Sequence, residues 1–392
     1  MKISDQIQVI YVCPHVDGYG ADRSLLNCVL ALRPLGVSPL FIIPRKGLLA
    51  EHLELNDIPY LVTGYKTWTK GRSANPLVCG IKAVAKLLLN KWKAYHIAKK
   101  LKQPVISMVH TNDLVTNFGV ELSKQLEVKH IQHSRCLLHE SAIYFDFGER
   151  RSLHHLSHHS SAVIFNSNTV HDHYRPYCNG VEAQVIHSAI FSKKDIKPPV
   201  KKHNKAEALR FIFMGRYEDQ KDPRTIIKAV KILVDKGFAG FQVSVYGKLG
   251  SDFSKYFADL MNYVSMNHLE QFVSLNDFDS TVSNRLQHFD VGLFTSPMEG
   301  IARVIIEYMM NGLPVIGSNT GGASLLIKDQ QNGLHFTPGN AIELAEKMEM
   351  LLTNRKLVAE LGKQAFESVD DKFSNEYTAS ALLKVYKNVL SK

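Results

Sequence analysis

Cysteine is scarce in this sequence, and the few cysteines form no motif. The 392 residues contain five, an odd number, and no Cys-x-x-Cys pair occurs among them. Such isolated cysteines argue against a disulfide framework and against a structural zinc site, and they favour a reducing compartment. Stability must then come from apolar cores, and a chain of this length can form two domains that each bury a full core.

Long apolar runs are absent as well. No run reaches the roughly 18 residues that a membrane-spanning helix needs. The N-terminal segment MKISDQIQVIYVCP has an acid before its apolar run and no small-residue cleavage site. It therefore predicts a first strand rather than a signal peptide, and we expect a cytoplasmic protein.

Two ligand-binding signatures are also missing. The loop after the predicted first strand, HVDGYGADRS, has no Gly-x-Gly-x-x-Gly, which argues against a dehydrogenase. The formal net charge of +10 predicts an anionic partner, namely a nucleotide, a nucleic acid or a membrane surface. No nucleic-acid-binding motif accompanies that charge, so we do not expect a nucleic-acid partner.

What the sequence does contain is a strand–helix–strand unit around residues 299–322, EGIARVIIEYMMNGLPVIGSNTGG. The apolar run FDVGLFTSP before it predicts a buried strand. Helical spacing follows from Ala302 to Met310, and Asn311-Gly312 is a helix stop. Leu313 to Gly317 predicts the next buried strand. Both loops then lie at the edge where open α/β sheets bind ligands.

Two carboxylates flank a predicted anion site in this unit. Glu299 lies in the first loop, and Glu307 lies in the helix after seven intervening residues. The amides of Ile301, Ala302 and Arg303 are predicted to be the unpaired donors of the helix N-terminus. A diphosphate fits between the two acceptors, with a sugar on one side and a ribose on the other, as in a nucleotide sugar.

This pattern resembles the retaining family 4 glycosyltransferases of the GT-B fold, also described as glycosyl transferases group 1. The resemblance implies that Glu307 holds the ribose hydroxyls, that Glu299 contacts the donor sugar, and that Gly300 and its successors meet the substrate. Where the family commonly has an aromatic residue and then glycine, this chain has Ile301-Ala302-Arg303. Ala302 still lets the backbone come near a phosphate, less freely than glycine. Arg303 could add a cation or point to solvent.

A pair of cations in the second half matches the pair that the family uses to grip the diphosphate. They are Arg216 and Lys221 in GRYEDQK, directly after the predicted strand Leu209 to Gly215. Two cations on a strand-end loop can neutralise a leaving group that carries roughly two charges without a metal. We therefore expect no metal and no other cofactor.

Further positions enter through the resemblance. Gly18 and Gly20 are the nearest match to the family's Gly-Gly loop, which faces the diphosphate and the acceptor. His133, at a predicted strand end, matches a histidine that faces the donor sugar. Gly247 ends another predicted strand near the substrate, and Phe278 is placed to flank the base. From the residues alone, the two loop glycines also fit a plain strand-to-helix turn, and the histidine also fits a structural role.

Four histidines stand close together in RSLHHLSHHSS, namely His154, His155, His158 and His159. Their spacing gives two i,i+4 pairs, which suit a metal site on a helix. No carboxylate or cysteine nearby completes the ligand set, so the segment predicts a surface helix or a helix that lines a cleft.

The resemblance implies two Rossmann-like α/β domains that face a cleft. We assign residues 1–195 to an N-terminal acceptor domain and residues 209–372 to a nucleotide-sugar-binding domain. The Lys- and Pro-rich sequence around residues 196–208 predicts a linker between them. Residues 373–392 predict a last helix, which in this fold crosses back to the first domain.

Residues 66–102 hold ten cations and no acid, so their charge equals the +10 of the whole chain. Residues 77–102 predict one or two helices in which apolar side chains, including Trp92 and Tyr95, alternate with lysines. A basic amphipathic helix with aromatic residues suits an anionic membrane surface. Family 4 enzymes often meet lipid-linked acceptors with this part of the first domain. We expect peripheral attachment to the inner face of the cytoplasmic membrane; the alternative is a core-packed helix with a solvated basic face.

The function implied is transfer of a sugar from a nucleotide-sugar donor to a hydroxyl of a glycan or lipid-linked acceptor, with retention at the anomeric carbon. Surface polysaccharide or glycolipid assembly is the expected context. One alternative is another enzyme on the same fold, such as an epimerase or a phosphorylase, which hydrolysis or phosphorolysis without transfer would favour. The other is a non-catalytic nucleotide-sugar-binding subunit, against which the complete set of two cations and two carboxylates counts.

Overall fold

The computed structural model describes residues 6–18, 20–71, 76–101, 106–138, 143–196, 207–247, 254–277, 282–297, 299 and 302–392. The chain divides into two compact units. Unit 1 consists of Met1–Lys194 with Asp371–Lys392, and unit 2 consists of Asp195–Asp370. The last segment of the chain therefore belongs to the first unit, as the sequence predicted for its last helix.

Among its described residues, unit 1 has nine strands, and seven of them form one parallel sheet. In chain order they are β1 (Ile7–Val12), β2 (Val37–Ile43), β3 (Tyr60–Val62), β4 (Thr69–Gly71), β5 (Met108–Asn112), β6 (Lys129–Ser134), β7 (Ile143–Phe145), β8 (Ala162–Phe165) and β9 (Glu182–Val185). The order across the sheet is β3-β2-β1-β5-β6-β8-β9, and β4 pairs with β7 in a separate antiparallel ribbon. The order reverses between β1 and β5, which makes that pair the topological switch point of the sheet.

Helices cover both faces of this sheet. In chain order they are α1 (Gly20–Leu32), α2 (Leu48–Leu55), α3 (Pro76–Lys100), α4 (Phe118–Leu126), α5 (Glu149–His158), α6 (Asn168–Tyr174) and, from the end of the chain, a helix at Asn375–Leu390. Successive side chains of a strand point to opposite faces. Val9 and Tyr11 of β1 accordingly share a core with α1, α2 and the last helix, whereas Ile10 and Val12 pack with α3 and α4.

The helix at Asn375–Leu390 completes the first of these cores, and we number it α13 by its place in the chain. Its side chains Leu382 and Tyr386 are buried with those of α1 and β1. The hydroxyl oxygens of Tyr386 and Tyr11 lie 3.2 Å apart. The helix begins at Ser374, whose side chain accepts a hydrogen bond from the amide of Tyr377.

The described part of unit 2 has six strands in one parallel sheet. They are β10 (Leu209–Met214), β11 (Phe241–Gly247), β12 (Val273–Asp277), β13 (Val291–Phe294), β14 (Val315–Ser318) and β15 (Gly333–Phe336). Its helices are α7 (Pro223–Asp235), α8 (Ser254–Met266), α9 (Arg303–Met310), α10 (Gly321–Leu326), α11 (Ala341–Thr353) and α12 (Arg355–Glu367). The strand order β12-β11-β10-β13-β14-β15 is that of a dinucleotide-binding Rossmann sheet, and its switch point lies between β10 and β13.

Alternation along β10 again separates two cores. Phe211 and Phe213 pack with α7 and α11, and Ile212 packs with α9. The strands are therefore covered on both faces, which is the reason for their nearly continuous apolar sequences.

Three element boundaries differ from those predicted in ways that matter for the site. Helix α1 begins at Gly20, inside the predicted loop, and Asp22 in its first turn suits the positive end of a helix. Helix α9 begins at Arg303, one residue later than predicted. Strand β6 continues to Ser134, so His133 lies inside the strand.

Candidate functional site

Charged groups gather at the switch point of unit 2. Strands β10 and β13 are hydrogen-bonded neighbours. Lys221 lies in the loop between β10 and α7, and Glu299 lies between β13 and α9. Ligands of open α/β sheets bind beyond the carboxyl ends of the strands at such a reversal. The topology thus brings together two residues that are 78 positions apart in the chain.

Lys221 and Glu299 form an ion pair there. Lys221 Nζ donates to Glu299 Oε1, and the two side chains are 21% and 19% exposed. The hydroxyl of Ser296 donates to the same carboxylate oxygen at 3.0 Å. The hydroxyl of Thr295 donates to the carbonyl of Lys221 at 2.8 Å. The pair is therefore oriented by its neighbours and still reaches solvent.

Arg216, the second predicted cation, is also paired. Its Nη2 lies 2.8 Å from Glu218 Oε1 in the same loop. The sequence predicted two cations that face a phosphate, and it missed that each has a carboxylate partner within unit 2. A diphosphate carries more charge than one carboxylate, so it can compete for both cations through charge-assisted hydrogen bonds.

Glu307 is held by the helix that carries it. Its Oε1 accepts from Arg303 Nε at 2.8 Å, one helical turn earlier, and both side chains are mostly buried. Its Oε2 lies 3.5 Å from the hydroxyl of Ser283. The alternatives for Arg303 were a cation for the substrate or a solvated side chain, and the structure instead joins it to Glu307.

The predicted anion site at the start of α9 shifts with the observed helix start. Ala302 is the N-cap residue and is fully buried, and its carbonyl accepts from the amide of Ile305 at 3.0 Å. The donors of the first turn are therefore the amides of Arg303 and Val304, whereas the sequence assigned them to residues 301–303. Gly300 and Ile301 lie outside the described residues.

Gly247, at the end of β11, has a packing role. A Cβ at this position would lie 2.4 Å from the carbonyl oxygen of Gly215 and 2.8 Å from the ring of Tyr217. Only glycine therefore allows the loops after β10 and β11 to approach each other so closely. A contact between Gly247 and a substrate stays a prediction, and Phe278 lies outside the described residues.

His133 belongs to a buried chain of polar groups in unit 1. Its Nδ1 lies 3.2 Å from His110 Nε2, and His110 Nδ1 lies 2.7 Å from the hydroxyl of Tyr386. Burial, and next the charge of Arg135, lower the pKa of both histidines well below the usual value, so both rings are neutral near pH 7. Within the described residues His133 Nε2 has no hydrogen-bond partner. A buried ring nitrogen in that state can take a ligand atom as partner, and the sugar contact of His133 stays a prediction.

The two loop glycines of unit 1 differ in whether the backbone conformation requires glycine. Gly18 has a φ of +74°, in the left-handed region that favours glycine. Gly20 is the first residue of α1, and a Cβ there would meet no atom within 4 Å. Packing therefore does not explain a glycine at position 20. A close approach by a ligand stays a prediction for this position. Tyr19, between them, is not among the described residues.

A histidine–aspartate pair that was not predicted from the sequence lies at the switch point of unit 1. His15 follows β1 and Asp113 follows β5, with His15 Nε2 3.1 Å from Asp113 Oδ2. Asp113 is buried and has a φ of +98°, a strained conformation for a residue other than glycine. Burial opposes the charged form of His15, but the hydrogen bond and charge of Asp113, with Asp22 and Asp17, outweigh burial and raise the pKa of His15.

A buried arginine adjoins that pair. Arg135 Nε donates to Asn112 Oδ1 at 2.7 Å, and its Nη1 lies 3.3 Å from the hydroxyl of Ser24. The polar runs HTND and HSR at the ends of β5 and β6 were the available signal for this cluster. They indicated polar strand ends, but no local pattern connects them to His15, which lies 98 positions before Asp113.

The four clustered histidines form the surface of α5 and the turn after it. His154 and His158 stack with ring centroids 6.1 Å apart, and His155 lies near Glu121 at 4.0 Å. Among the described residues, no group of three or more His, Cys, Asp or Glu side chains is placed to hold a metal ion.

Helix α3 is a single helix, and it presents apolar side chains to solvent. Five of them lie three or four positions apart and are 44–78% exposed, namely Ile81, Val84, Leu88, Trp92 and Tyr95. That spacing places them on one face of the helix, and we call them the α3 stripe. No helix in the described part of the chain is long and apolar enough to cross a membrane.

The lysines of α3 fall into two groups. Lys82, Lys91, Lys99 and Lys100 are exposed. Lys86 Nζ instead contacts Asp146 at 2.8 Å, and Lys93 donates to the carbonyl of Thr63. Part of the charge that the sequence assigned to the surface is therefore used inside unit 1.

The comparisons with known proteins agree with this architecture. Residues 195–368, which are nearly all of unit 2, match the family described as Glycosyl transferases group 1. The capsular polysaccharide biosynthesis glycosyltransferase CapM of Staphylococcus aureus is 26% identical over 178 residues, 45% of this chain and 46% of that protein. The uncharacterized glycosyltransferase MJ1178 of Methanocaldococcus jannaschii is 24% identical over 369 residues, 90% of this chain and 97% of that protein. The chain spans less than half of the length of CapM and of three further curated relatives that it matches.

A likeness to solved structures extends over both units. The Anabaena protein Alr3699/HepE, solved in complex with UDP and glucose, superposes with a TM-score of 0.77 at 17% identity, over 97% of this chain and 100% of that one. At this identity the likeness establishes the fold, and the predicted GT-B fold with two Rossmann-like units is confirmed. Membership of family 4 and a retaining reaction stay predictions.

Proposed function

We propose that this protein transfers a sugar from a nucleotide-sugar donor to a hydroxyl of a glycan or lipid-linked acceptor, with retention at the anomeric carbon. The observation that carries the proposal is the ion pair of Lys221 and Glu299 at the switch point of a sheet whose segment matches glycosyl transferases group 1. Support for the donor comes from the UDP and glucose bound to the Anabaena protein, and support for a polysaccharide context comes from CapM.

The ion pair gives the donor site a simple mode of action. When a diphosphate contacts Lys221 and Arg216, Lys221 exchanges the Glu299 carboxylate for phosphate oxygens, and Glu299 becomes an acceptor for the hydroxyls of the donor sugar. The same step gives charge stabilisation to the leaving diphosphate. The bond from the acceptor oxygen to the anomeric carbon then forms as the bond from that carbon to the phosphate oxygen breaks. The acceptor's proton passes to the leaving phosphate.

Glu307 takes the ribose in this proposal. Its Oε1 is paired with Arg303. Among the described residues its Oε2 has only a long contact of 3.5 Å with Ser283 and can therefore accept hydrogen bonds from two ribose hydroxyls. His133, which is neutral, offers Nε2 to a sugar hydroxyl. The backbone at Gly18 and Gly20 faces the diphosphate and the acceptor.

Mass-spectrometric screening of sugar nucleotides tests this proposal. The protein is incubated with UDP- and GDP-sugars in the presence and absence of a lipid-linked or glycan acceptor extract. We expect one donor to be consumed only when acceptor is present, with the same anomeric configuration in donor and product by NMR. Donor loss without glycosylated product would indicate an epimerase or a hydrolase, and an inverted product would refute retention.

We also propose that unit 1 binds the surface of an anionic membrane through the α3 stripe. Exposed apolar side chains between exposed lysines fit an interfacial helix, and each cation near such a surface is worth about 1 kcal/mol. Liposome sedimentation tests this: binding should require anionic lipid, fall with salt, and be lost when Lys82 and Lys99 are changed to glutamate. The matched control changes Lys384 and Lys387 of α13, which packs on the opposite face of the same sheet. Equal binding to neutral and anionic vesicles would leave these lysines as ordinary surface charge.

A further inference from the structure

A pocket of about 370 Å³ lies beside the α3 stripe, between α3, α4 and α5. Its apolar lining comes from Trp68, Leu87 and Phe147, and Leu88 of the stripe stands at its edge. One side of the pocket is therefore continuous with the surface that we propose meets the membrane. Nothing in the proposed sugar transfer uses it.

The charged groups around this pocket are mostly cations. Lys91, Lys124 and Arg151 contribute three positive charges, and Glu121 contributes one negative charge, which leaves a net charge of +2. Burial, and next the charge of Lys124, lower the pKa of His155, so its ring adds no charge near pH 7. Within the described residues neither Lys91 nor Arg151 makes an ion pair, whereas Glu121 lies 3.6 Å from Lys124 and 4.0 Å from His155.

A buried hydroxyl completes the lining. Ser152 is 1% exposed, and its Oγ has no hydrogen-bond partner in the described part of the chain. A buried hydroxyl without a partner is unfavourable unless something else supplies one. Arg151 and Ser152 both line the pocket, so a phosphate oxygen that contacts the guanidinium can also accept from this hydroxyl.

We propose that this pocket binds the phosphate headgroup of one anionic phospholipid, with the glycerol and first acyl carbons against Trp68 and Leu87. Cations and a hydroxyl suit the phosphate, the apolar lining suits the chain, and the shared edge at Leu88 lets the lipid stay in the bilayer while its headgroup is held. The inference rests on the proposed membrane attachment, and it adds a specific site to a surface that otherwise would only recognise charge.

The two tryptophans of the chain allow a direct test. Trp68 lines the pocket, and Trp92 lies on the stripe and is 59% exposed. In the Trp92→Phe protein Trp68 is the one remaining tryptophan, so tryptophan fluorescence reports the pocket alone. The probe is dihexanoyl phosphatidylglycerol below its micelle concentration, which binds without a membrane, so this experiment succeeds or fails independently of vesicle attachment. We expect a saturable change of Trp68 fluorescence, absent with dihexanoyl phosphatidylcholine.

Four variants in that background sharpen the result. Lys124→Gln and Arg151→Gln should each weaken binding about tenfold, as the loss of one charge-assisted contact does. Glu121→Gln should tighten it, because it removes the one negative charge. Ser152→Ala should weaken binding several-fold without lowering Tm, since the alanine removes an unpaired hydroxyl. Lys384→Gln in α13 is the matched control and should have no effect.

Three outcomes would overturn the proposal. One is no response of Trp68 to the short-chain lipid. Another is an equal response to the phosphatidylcholine analogue, which would indicate an apolar cavity without headgroup selection. The last is equal affinity for glycerol 3-phosphate, which would indicate a site for small anions rather than for a lipid.

Discussion

The switch points of the two units hold their charges in different ways. In unit 2, Lys221 and Glu299 form a pair whose side chains are 21% and 19% exposed. In unit 1, Asp113, His133 and Arg135 are buried and joined to strands and to α13 by a chain of hydrogen bonds. A partly exposed pair can exchange partners at little cost, because water replaces what it loses. A buried network cannot, and this difference fits the proposed exchange of an anion in unit 2.

Acidification should lower the unfolding free energy of unit 1 before that of unit 2, and this is the largest effect that we expect. Burial lowers the pKa of His110 and His133 well below the usual value and that of His130 to about 3. Their folded pKa values lie below the roughly 6.5 of an unfolded histidine. The stability that the neutral rings contribute to unit 1 is therefore fully present above that pH and is lost as pH falls. Each should remove about 1.4 kcal/mol of unfolding free energy per pH unit below 6.5.

Urea unfolding at pH 7.5, 6.0 and 5.0 measures that loss, with spectroscopic probes in each unit. A His130→Asn variant should be less stable at pH 7.5 and should lose less stability on acidification. An unfolding free energy of unit 1 that does not change between pH 7.5 and 5.0 would contradict neutral, buried histidines.

Removing a cation at the exchangeable site of unit 2 should have the next largest effect. Lys221→Ala or Arg216→Ala should lower turnover by roughly 10²-fold or more, as the loss of one preorganised charge contact does. The control is Lys231→Ala in α7, a partly exposed lysine of the same unit that pairs with Asp235. The readout is release of nucleoside diphosphate. Near-normal rates in both variants would refute the assigned diphosphate site.

Glu307→Gln should have a smaller effect, confined to the nucleotide. Ribose hydroxyls lose a charged acceptor, so we expect about tenfold weaker binding of the free nucleoside diphosphate. Calorimetry with UDP and GDP measures it, and Glu346→Gln, an exposed carboxylate on α11, is the control. If the two variants bind equally well, Glu307 does not hold the ribose.

The last prediction is that a chelator has no effect on turnover. Two cations already stand at the proposed diphosphate site, and they can supply the charge that a divalent ion would supply. Turnover should be equal with and without EDTA. Complete loss with EDTA and recovery with manganese would show that the mechanism is assigned wrongly.

The elements follow from the sequence where local patterns decide them. The strand predicted from Leu209 to Gly215 is β10 (Leu209–Met214), and the helix predicted from Ala302 to Met310 is α9 (Arg303–Met310), because apolar runs and helix-stop residues lie next to each other in the chain. The GT-B fold was implied by the resemblance to a known family, and the observed order of the elements agrees with it. The start of α1 did not follow from the sequence, since glycines and an aspartate at positions 18–22 are typical of a loop.

Side-chain partners could not be predicted, because sequence patterns do not contain long-range distances. Glu299 was found as a site residue, but its pairing with Lys221 depends on which strands are neighbours. Lys86 was counted as surface charge, and its partner Asp146 lies 60 positions away. His15 was not found at all, because its partner Asp113 lies 98 positions later.

The position of α13 also affects the order in which the two units can complete their folding. Tyr386 closes the core under β1 across 375 positions of sequence, so β1 is synthesised long before the helix that covers it. All of unit 2 emerges from the ribosome before that helix does, and domains generally fold as units during synthesis. Unit 2 can therefore be complete while the sheet of unit 1 still lacks the cover on one face. During that interval the exposed apolar side of the first sheet is the part of the nascent chain most in need of a chaperone.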